Sequence, residues 1–136
     1  MTKDLNFGVG VDIEEINRFS SVDRHKSKTF LGKIFTKDEI KYCYARKDFA
    51  RHLAARFCAK EAAVKALGGL NIHSIHMRDV EIVNSKKGVP CIRIRKNSNN
   101  LFDKILLKVS LSHNKNNAIA VVMAIKIADE KKHIKS

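Results

Sequence analysis

One glutamate, Glu61, occupies a position that the apolar pattern of a predicted helix places near the core, where a charged side chain is unfavourable. In the run from Asp48 to Gly68, the apolar residues Phe49, Leu53 and Phe57 recur every four residues, and Glu61 is the next position on that row. Four-residue steps drift by roughly 40° per step against a 3.6-residue turn. The row therefore predicts a helix in which Glu61 lies at the margin of the core, where a carboxylate is costly unless something compensates it.

Two kinds of partner are available to Glu61. Lys65 follows one turn later and Lys60 is its neighbour in sequence, so either ammonium is a candidate, and a bound cation is another. The simpler alternative is an exposed Glu61–Lys65 ion pair, which is worth a few tenths of a kcal/mol, about 0.2–0.5, and has no chemical role. The helix by itself leaves these alternatives open.

A second carboxylate, Asp12, ends a strand with an unusual face. The run Phe7–Ile13 alternates, so Gly8, Gly10 and Asp12 point to one side and the apolar residues to the other. A strand with glycines on one face lets another backbone or a ligand approach closely. The alternative is that Asp12 caps the next helix with Glu15 at its N3 position. Capping through one carboxylate oxygen leaves the other oxygen free for a metal.

Length and composition set the class of protein. The chain has 136 residues, of which 44% are apolar, and this predicts one globular domain over residues 1–126 with a basic tail over residues 127–136. No run approaches the length of a membrane span, and the N-terminus lacks the pattern of a signal peptide. Cys43, Cys58 and Cys91 are too few and too scattered for a disulfide framework, so they predict reduced, core-filling thiols in a cytoplasmic protein.

The charge balance is strongly basic. Lysine and arginine total 27 against 14 aspartate and glutamate residues, a formal net charge of +13. Such a surface attracts nucleic acid, an acidic protein, a phosphorylated ligand or an anionic membrane. The sign of the charge does not choose among these partners.

The remaining pattern predicts an α+β fold with a mostly antiparallel sheet and one long packed helix. A capping box, Thr36-Lys37-Asp38-Glu39, starts a helix that reaches about Arg46. The other predicted elements are a strand over residues 7–12, short helices over 14–21 and 101–107, the long helix over 48–68, and hairpins formed by strands 79–84 with 89–95 and 108–112 with 118–127.

Several separated motifs resemble those of one family, the short-form 4′-phosphopantetheinyl transferases. They are Gly10-Val11-Asp12 followed by Arg18, Phe57-Cys58-Ala59-Lys60-Glu61-Ala62-Ala63-Val64-Lys65, Gly88-Val89-Pro90, and Ser110-Leu111-Ser112-His113. They stand in family order and span about residues 7–126. Cys58 occupies a position that is often alanine or serine in the family.

The resemblance implies a reaction and a set of partners. Members transfer the 4′-phosphopantetheine arm of coenzyme A to a serine of an acidic apo acyl carrier protein, in fatty acid biosynthesis, giving the holo carrier protein and 3′,5′-ADP. Short members are typically homotrimers with sites between subunits. The reaction needs charge neutralisation and alignment more than covalent help. Mg²⁺ suits a pyrophosphate and usually binds through one or two carboxylates, phosphate oxygens and water.

The resemblance also assigns residues. It makes Asp12 and Glu61 the metal ligands and places Lys65 on the phosphates, where it steadies the departing charge. Glu61, directly or through a metal-bound water, is the expected base. Coenzyme A contacts are expected from Arg56, Lys60, Lys65, His113, Gly88 and Pro90. Arg18 would face the carrier protein, for which the net charge of +13 is favourable.

The sequence also allows a different class of function, namely that of a small basic domain that binds nucleic acid. The net charge favours it. The aromatic residues do not, because there is no tryptophan and Tyr42 and Tyr44 fall in a predicted helix. We therefore expect no nucleic-acid and no membrane partner. The transferase and the binding module differ in what they require of Glu61.

Overall fold

A computed structural model describes residues 6–96 and 100–128 of the chain. It contains three α-helices, five strands and three short 3₁₀ turns among these residues. The helices are α1 (Lys28–Ile34), α2 (Lys37–Tyr44) and α3 (Phe49–Gly68), the strands are β1 (Phe7–Glu15), β2 (Val80–Asn84), β3 (Pro90–Ile94), β4 (Ile105–His113) and β5 (Asn117–Lys126), and the turns are Ile16–Phe19, Met77–Asp79 and Leu101–Lys104.

The strands form two antiparallel sheets. One has the order β1-β5-β4 and the other is the β2–β3 hairpin. The long helix α3 packs across β1 and β5 and also touches β2. The predicted α+β fold, with a mostly antiparallel sheet and one long packed helix, is confirmed.

Small residues let α3 lie unusually close to the sheet. A Cβ atom added to Gly8 would lie 1.8 Å from the carbonyl oxygen of Ala66, and one added to Gly10 would lie 1.8 Å from that of Ala62. The glycine face of β1 is therefore occupied by the backbone of α3, one of the two occupants that the alternation allowed. The apolar residues of β1 point to the opposite, outer face of the sheet.

The helix α3 ends at Gly68, as the predicted long helix does, and the glycine that follows it is not in the left-handed region. Gly69 has a φ of −64°, and the left-handed residue is Asn71 with a φ of 61°. Gly69 is needed for space instead, because a Cβ there would lie 2.9 Å from the Cα of Gly8.

Three local predictions were wrong. β1 continues to Glu15 and is followed by a 3₁₀ turn instead of a helix over 14–21. The segment 101–107 is helical only over Leu101–Lys104, since the next residues pair with β5 as part of β4. Cys43 and Cys58 are buried as predicted, but Cys91 is exposed because it lies on the solvent face of β3.

The described residues contain no helix that is both long and apolar enough to cross a bilayer. Most of the predicted basic tail, residues 129–136, lies outside the part of the chain that the structure describes.

Candidate active site

Strand β1 and helix α3 bring Asp12 and Lys65 together. Asp12 follows Gly8 and Gly10 on the face of β1 that packs on α3. The Nζ atom of Lys65 lies 3.6 Å from Oδ1 of Asp12 and donates a hydrogen bond of 3.0 Å to the carbonyl oxygen of Val11. The side chain of Lys65 stays 53% exposed, so its ammonium can still meet a ligand from solvent.

Asp12 does not cap a helix. β1 extends three residues beyond it, and the residue at the cap position of the following 3₁₀ turn is Glu15, whose side chain makes no capping bond. The Oδ2 atom of Asp12 is buried and has no hydrogen-bond partner among the described residues. A buried carboxylate oxygen without a partner is costly, so this atom is a place where a cation or a donor from a ligand would be favourable.

Glu61 is half-buried, as its place at the core margin predicted. The surface pair with Lys65 is wrong, because the ion pair of Lys65 runs to Asp12 and Glu61 has no ion pair among the described residues. Glu61 lies one turn before Lys65, and the i,i+4 spacing places the two residues on the same side of α3.

The thiol of Cys58 fills the space between α3 and the sheet beside the carboxylate of Asp12. Its Sγ donates to the carbonyl oxygen of Ala118 at 3.3 Å. Burial, with the nearby charges of Asp12 and Glu14, raises the pKa of Cys58 to about 12. Cys58 is therefore a packing residue and not a nucleophile, because the thiolate is the reactive form.

His113 lies on the same face of the sheet as Asp12. In the register of the strands, Glu14 and His113 flank Ala118 of the central strand β5 from opposite sides. Neighbouring strands are about 4.8 Å apart, so His113 lies roughly 10 Å across the sheet from the end of β1. It is exposed at the end of β4, beside the first turn of α3.

The first turn of α3 supplies an arginine that sequence reasoning left unassigned. The Nη1 atom of Arg51 lies 3.2 Å from Nε2 of His113, and the Arg51 guanidinium is also bound by the carboxylate of Asp48. With neighbouring residues they border a surface pocket of about 530 Å³. The signal in the sequence was the i,i+3 spacing of Asp48 and Arg51, but its relation to His113 depends on the fold.

Lys60 does not face a phosphate. Its side chain is fully buried, and its Nζ lies 2.5 Å from Oε1 of Glu39 and donates to the carbonyl oxygen of Val80. Burial lowers the pKa of Lys60, while the charge of Glu39 and its hydrogen bond act in the opposite direction. The expectation that Lys60 contacts coenzyme A does not fit this position, because its ammonium is already paired inside the core.

Arg56 is also withdrawn from solvent. It is only 4% exposed, and its guanidinium carbon lies 3.9 Å from the centre of the Tyr42 ring. The guanidinium of Arg46 lies 3.5 Å from the centre of the same ring. The expectation that Arg56 holds a coenzyme A phosphate is therefore not met by its position, since its cation stacks on Tyr42. Its buried Nε has no partner among the described residues.

The remaining predicted residues lie at the surface. Gly88 has a φ of 79° and sits in the loop of the β2–β3 hairpin, and Pro90 begins β3 opposite Asn84. Arg18 is 54% exposed, forms an ion pair of 3.0 Å with Glu14, and packs its guanidinium 5.2 Å from the ring centre of Phe57. Arg18 is thus exposed beside Glu14, two residues beyond Asp12 along β1.

The donor set suits a hard cation. The described residues contain no group of three or more His, Cys, Asp or Glu side chains that could hold a metal ion by themselves. Asp12 and Glu61 instead offer two carboxylates, and Asp12 contributes the unpartnered buried oxygen. Two carboxylates are the usual protein share of a Mg²⁺ site, in which water and phosphate oxygens complete the shell. The residues present therefore fit Mg²⁺.

Comparison with known proteins identifies the family of the chain. The profile of the 4′-phosphopantetheinyl transferase superfamily matches residues 8–122. A holo-[acyl-carrier-protein] synthase of Protochlamydia amoebophila is 43% identical over 109 residues, which cover 80% of this chain and 89% of that protein. One from Geobacter sp. is 38% identical and covers 86% of this chain and 96% of that protein.

The chain belongs to the holo-[acyl-carrier-protein] synthases. Solved structures of this family share its fold. A holo-[acyl-carrier-protein] synthase of Bacillus anthracis in complex with CoA (3′,5′-ADP) superposes with a TM-score of 0.68 at 28% identity, covering 88% of this chain and 96% of that one. The Helicobacter pylori enzyme in complex with coenzyme A gives a TM-score of 0.67 at 34% identity, covering 84% and 96%. The family resemblance that the sequence motifs indicated is therefore confirmed.

Proposed function

We propose that this protein transfers the 4′-phosphopantetheine group from coenzyme A to a serine of an apo acyl carrier protein and releases 3′,5′-ADP. The carrier serine oxygen forms a bond to the β-phosphorus of coenzyme A, and the bond from that phosphorus to the bridging oxygen breaks. The observation that carries the proposal is the unpartnered buried oxygen of Asp12 beside the ammonium of Lys65, in a member of this family. Two matched structures are named as complexes with coenzyme A.

The proposed metal is Mg²⁺, held by Asp12 and Glu61. When bound, it would neutralise pyrophosphate charge and order its oxygens. Lys65 projects from the same helix and can donate to a phosphate oxygen as charge moves to the leaving group. Glu61 is the proposed base for the serine proton, either directly or through a water.

The proposed coenzyme A site uses exposed groups from two places, the start of α3 and the loop of the β2–β3 hairpin. His113 and Arg51 offer nitrogen donors near the start of α3, and the loop with Gly88 and Pro90 offers backbone groups. Lys60 and Arg56 are left out of this set, since one ammonium is paired in the core and the other cation is stacked on Tyr42.

The proposed partner is an acidic carrier protein that docks over Arg18. The exposed guanidinium of Arg18 lies at the edge beside Glu14, two residues from Asp12 along β1. A net charge of +13 favours fast encounter with an acidic protein. No observation favours the nucleic-acid alternative over this one.

We also propose that the protein is a homotrimer with sites between subunits. The support is the outer face of the sheet, where Phe7, Val9, Val11 and Ile13 are 46–61% exposed and continue into Val121 and Met123 of β5. Register places Val9 opposite Met123 and Val11 opposite Val121, so these side chains form one apolar surface. Contiguous exposed apolar surface of this kind marks a protein interface, and a second copy supplies an equally apolar partner.

The proposed setting is the cytoplasm and fatty acid biosynthesis. The support is the family's acyl carrier protein substrate, together with three cysteines that are all free thiols in the structure. Free thiols are typical of a reducing compartment.

The deciding experiment weighs the carrier protein. Purified protein is incubated with coenzyme A, Mg²⁺ and an apo acyl carrier protein, and the carrier is measured by intact-mass spectrometry. A gain of one phosphopantetheine that is lost with chelator supports both the reaction and the metal. A folded protein that modifies none of several apo carriers would contradict the proposal, and binding of nucleic acid as a function of salt would then be measured.

A further inference from the structure

The buried ammonium of Lys60 is linked to the start of β2 in two ways, directly and through its partner Glu39. Lys60 donates to the carbonyl oxygen of Val80, the first residue of β2. Its partner Glu39 accepts the backbone N–H of Ile82 through Oε2 at 2.9 Å, while Oε1 takes the ion pair. Lys60 and Glu39 are 0% and 1% exposed, so these bonds are shielded from water.

A second buried carboxylate extends the network into β3. Glu81 accepts a hydrogen bond of 2.6 Å from the hydroxyl of Thr36, the residue that caps α2. Arg95, just beyond β3, donates to both oxygens of this carboxylate, at 3.3 Å to Oε1 and 3.2 Å to Oε2. The hairpin is therefore tied to α2 as well as to α3, through bonds whose directions are fixed.

These ties act on an element that would otherwise be loosely held. A two-stranded sheet on its own is marginally stable in water. The loop of this hairpin carries Gly88 and Pro90, and α3 carries Glu61 at the position next to Lys60. Since the peptide unit joins Lys60 to Glu61, anchoring one side chain in the core restricts the rotation of the helix that presents the other.

We propose that Lys60 is a positioning residue. Through Glu39 and Val80 it fixes the β2–β3 hairpin relative to the helix that presents Glu61 and Lys65. It thereby sets how coenzyme A, held at the hairpin loop, reaches these reactive groups. The inference rests on the proposed function, because it takes the hairpin loop as part of the coenzyme A site.

Burial of the pair argues for a role beyond stability. Replacing a buried ion pair by apolar residues of similar volume is often neutral or stabilising, whereas removing one partner is costly. Stability alone therefore gives no reason to keep a lysine at this place. Its directional bonds to a backbone carbonyl and a carboxylate define one arrangement of three elements, which apolar contacts would specify less sharply.

The test compares three single variants of the full chain. Lys60→Met and Glu39→Gln each break the pair, and Lys41→Met removes an exposed lysine of α2 as the control. We expect both core variants to raise the KM for coenzyme A by about tenfold or more, with a smaller change in kcat per folded enzyme. Backbone amides over residues 80–94 should exchange with solvent faster in both, without coenzyme A present. Lys41→Met should match the unmodified protein in both measurements.

Each alternative gives a different result. If Lys60 bound a phosphate itself, Lys60→Met would raise KM, but Glu39→Gln, which removes a negative charge, would not. If the pair only stabilised the fold, both variants would reduce the folded fraction and leave KM unchanged. Either pattern would overturn the inference.

A double variant keeps the test decisive if a single variant fails to fold. Glu39→Gln combined with Lys60→Met removes both charges and keeps an amide oxygen as an acceptor for the backbone N–H of Ile82, so it should be more stable than Lys60→Met alone while KM stays high. A KM restored to the original value would refute a positioning role. Hydrogen exchange needs no transfer activity. A loosened hairpin in a protein that modifies no carrier would therefore contradict the proposed function and leave the structural tie supported.

Discussion

The ammonium of Lys65 lies 3.6 Å from Oδ1 of Asp12 and is hydrogen-bonded to the carbonyl oxygen of Val11. One lysine of α3 thus contacts two consecutive residues of β1, while Oδ2 of Asp12 is buried with no hydrogen-bond partner in the part of the chain that the structure describes. The arrangement holds a carboxylate in place while keeping one of its oxygens available. This is the geometry expected where a ligand, and not the protein, completes the site.

Glu61→Gln should abolish transfer and leave the fold nearly intact. Glu61 is half-buried and has no ion pair among the described residues, so the amide replaces no structural bond. Loss of the proposed metal ligand and base should lower kcat by at least about a hundredfold. Intact-mass assay of the carrier measures the rate, and circular dichroism checks the fold. Asp103→Asn, an exposed carboxylate outside the site, is the control; full activity in a folded Glu61→Gln protein would contradict the metal assignment.

Asp12→Asn should separate activity from stability. Transfer should be lost, but without Mg²⁺ the melting temperature should stay the same or rise, because the substitution removes a buried charge with one unpartnered oxygen. Adding Mg²⁺ should raise the melting temperature of the unmodified protein through binding to the native state, and not that of Asp12→Asn. Scanning calorimetry with and without Mg²⁺ measures both effects. An equal response of the two proteins to Mg²⁺ would remove Asp12 from the metal site.

Gly10→Ala should destabilise the fold strongly. The added Cβ would lie 1.8 Å from the carbonyl oxygen of Ala62, so strand or helix backbone must move. We expect a loss of about 3 kcal/mol or more in the free energy of unfolding. Gly32→Ala is the matched control, since a Cβ there meets nothing within 4 Å and α1 should gain about 0.5–1 kcal/mol. Urea unfolding measures both, and comparable stabilities for the two variants would contradict the close packing of α3 on β1.

Val9→Glu should break the proposed trimer. Val9 is 53% exposed and pairs with Met123 on the outer face of the sheet, so the carboxylate would have to be buried between subunits. Sedimentation equilibrium should show a trimer for the unmodified protein and monomers for this variant. Thr29→Glu adds the same charge to an exposed site on α1 and should remain trimeric. A Val9→Glu protein that stays trimeric would place the subunit contact elsewhere.

Stability should fall in acid partly through Glu81. Burial by itself would raise the pKa of Glu81, but the hydrogen bond from Thr36 and the charge of Arg95 outweigh it and hold the pKa below its ordinary value of 4.5. A carboxyl group with a lowered native pKa contributes stability above its unfolded pKa, and that contribution is lost as the pH falls through the native pKa. Glu81→Gln should therefore be less stable near neutral pH and show a flatter decline below about pH 4.5. Urea unfolding from pH 3 to 7 measures this, and parallel pH profiles would contradict the shift.

The sequence predicted the local placement of Asp12 and Glu61 better than their surroundings. Period-two alternation placed Asp12 on the glycine face of β1, and four-residue spacing placed Glu61 at the core margin, because both depend only on local backbone geometry. The capping box at Thr36 was likewise readable from four consecutive residues, and the structure contains both of its bonds.

Only the tertiary structure decided which lysine of the motif stays accessible. Lys60 and Lys65 are equivalent in type, yet one is paired in the core with Glu39 and the other is 53% exposed beside Asp12. Helix periodicity gives the angle between the two side chains but not what lies against each side. The partners of Lys60 lie 21 residues before it, at Glu39, and 20 after it, at Val80. The same holds for Arg56, whose stacking on Tyr42 depends on how α2 packs on α3. Burial is set by contacts between segments far apart in sequence, and local pattern does not contain them.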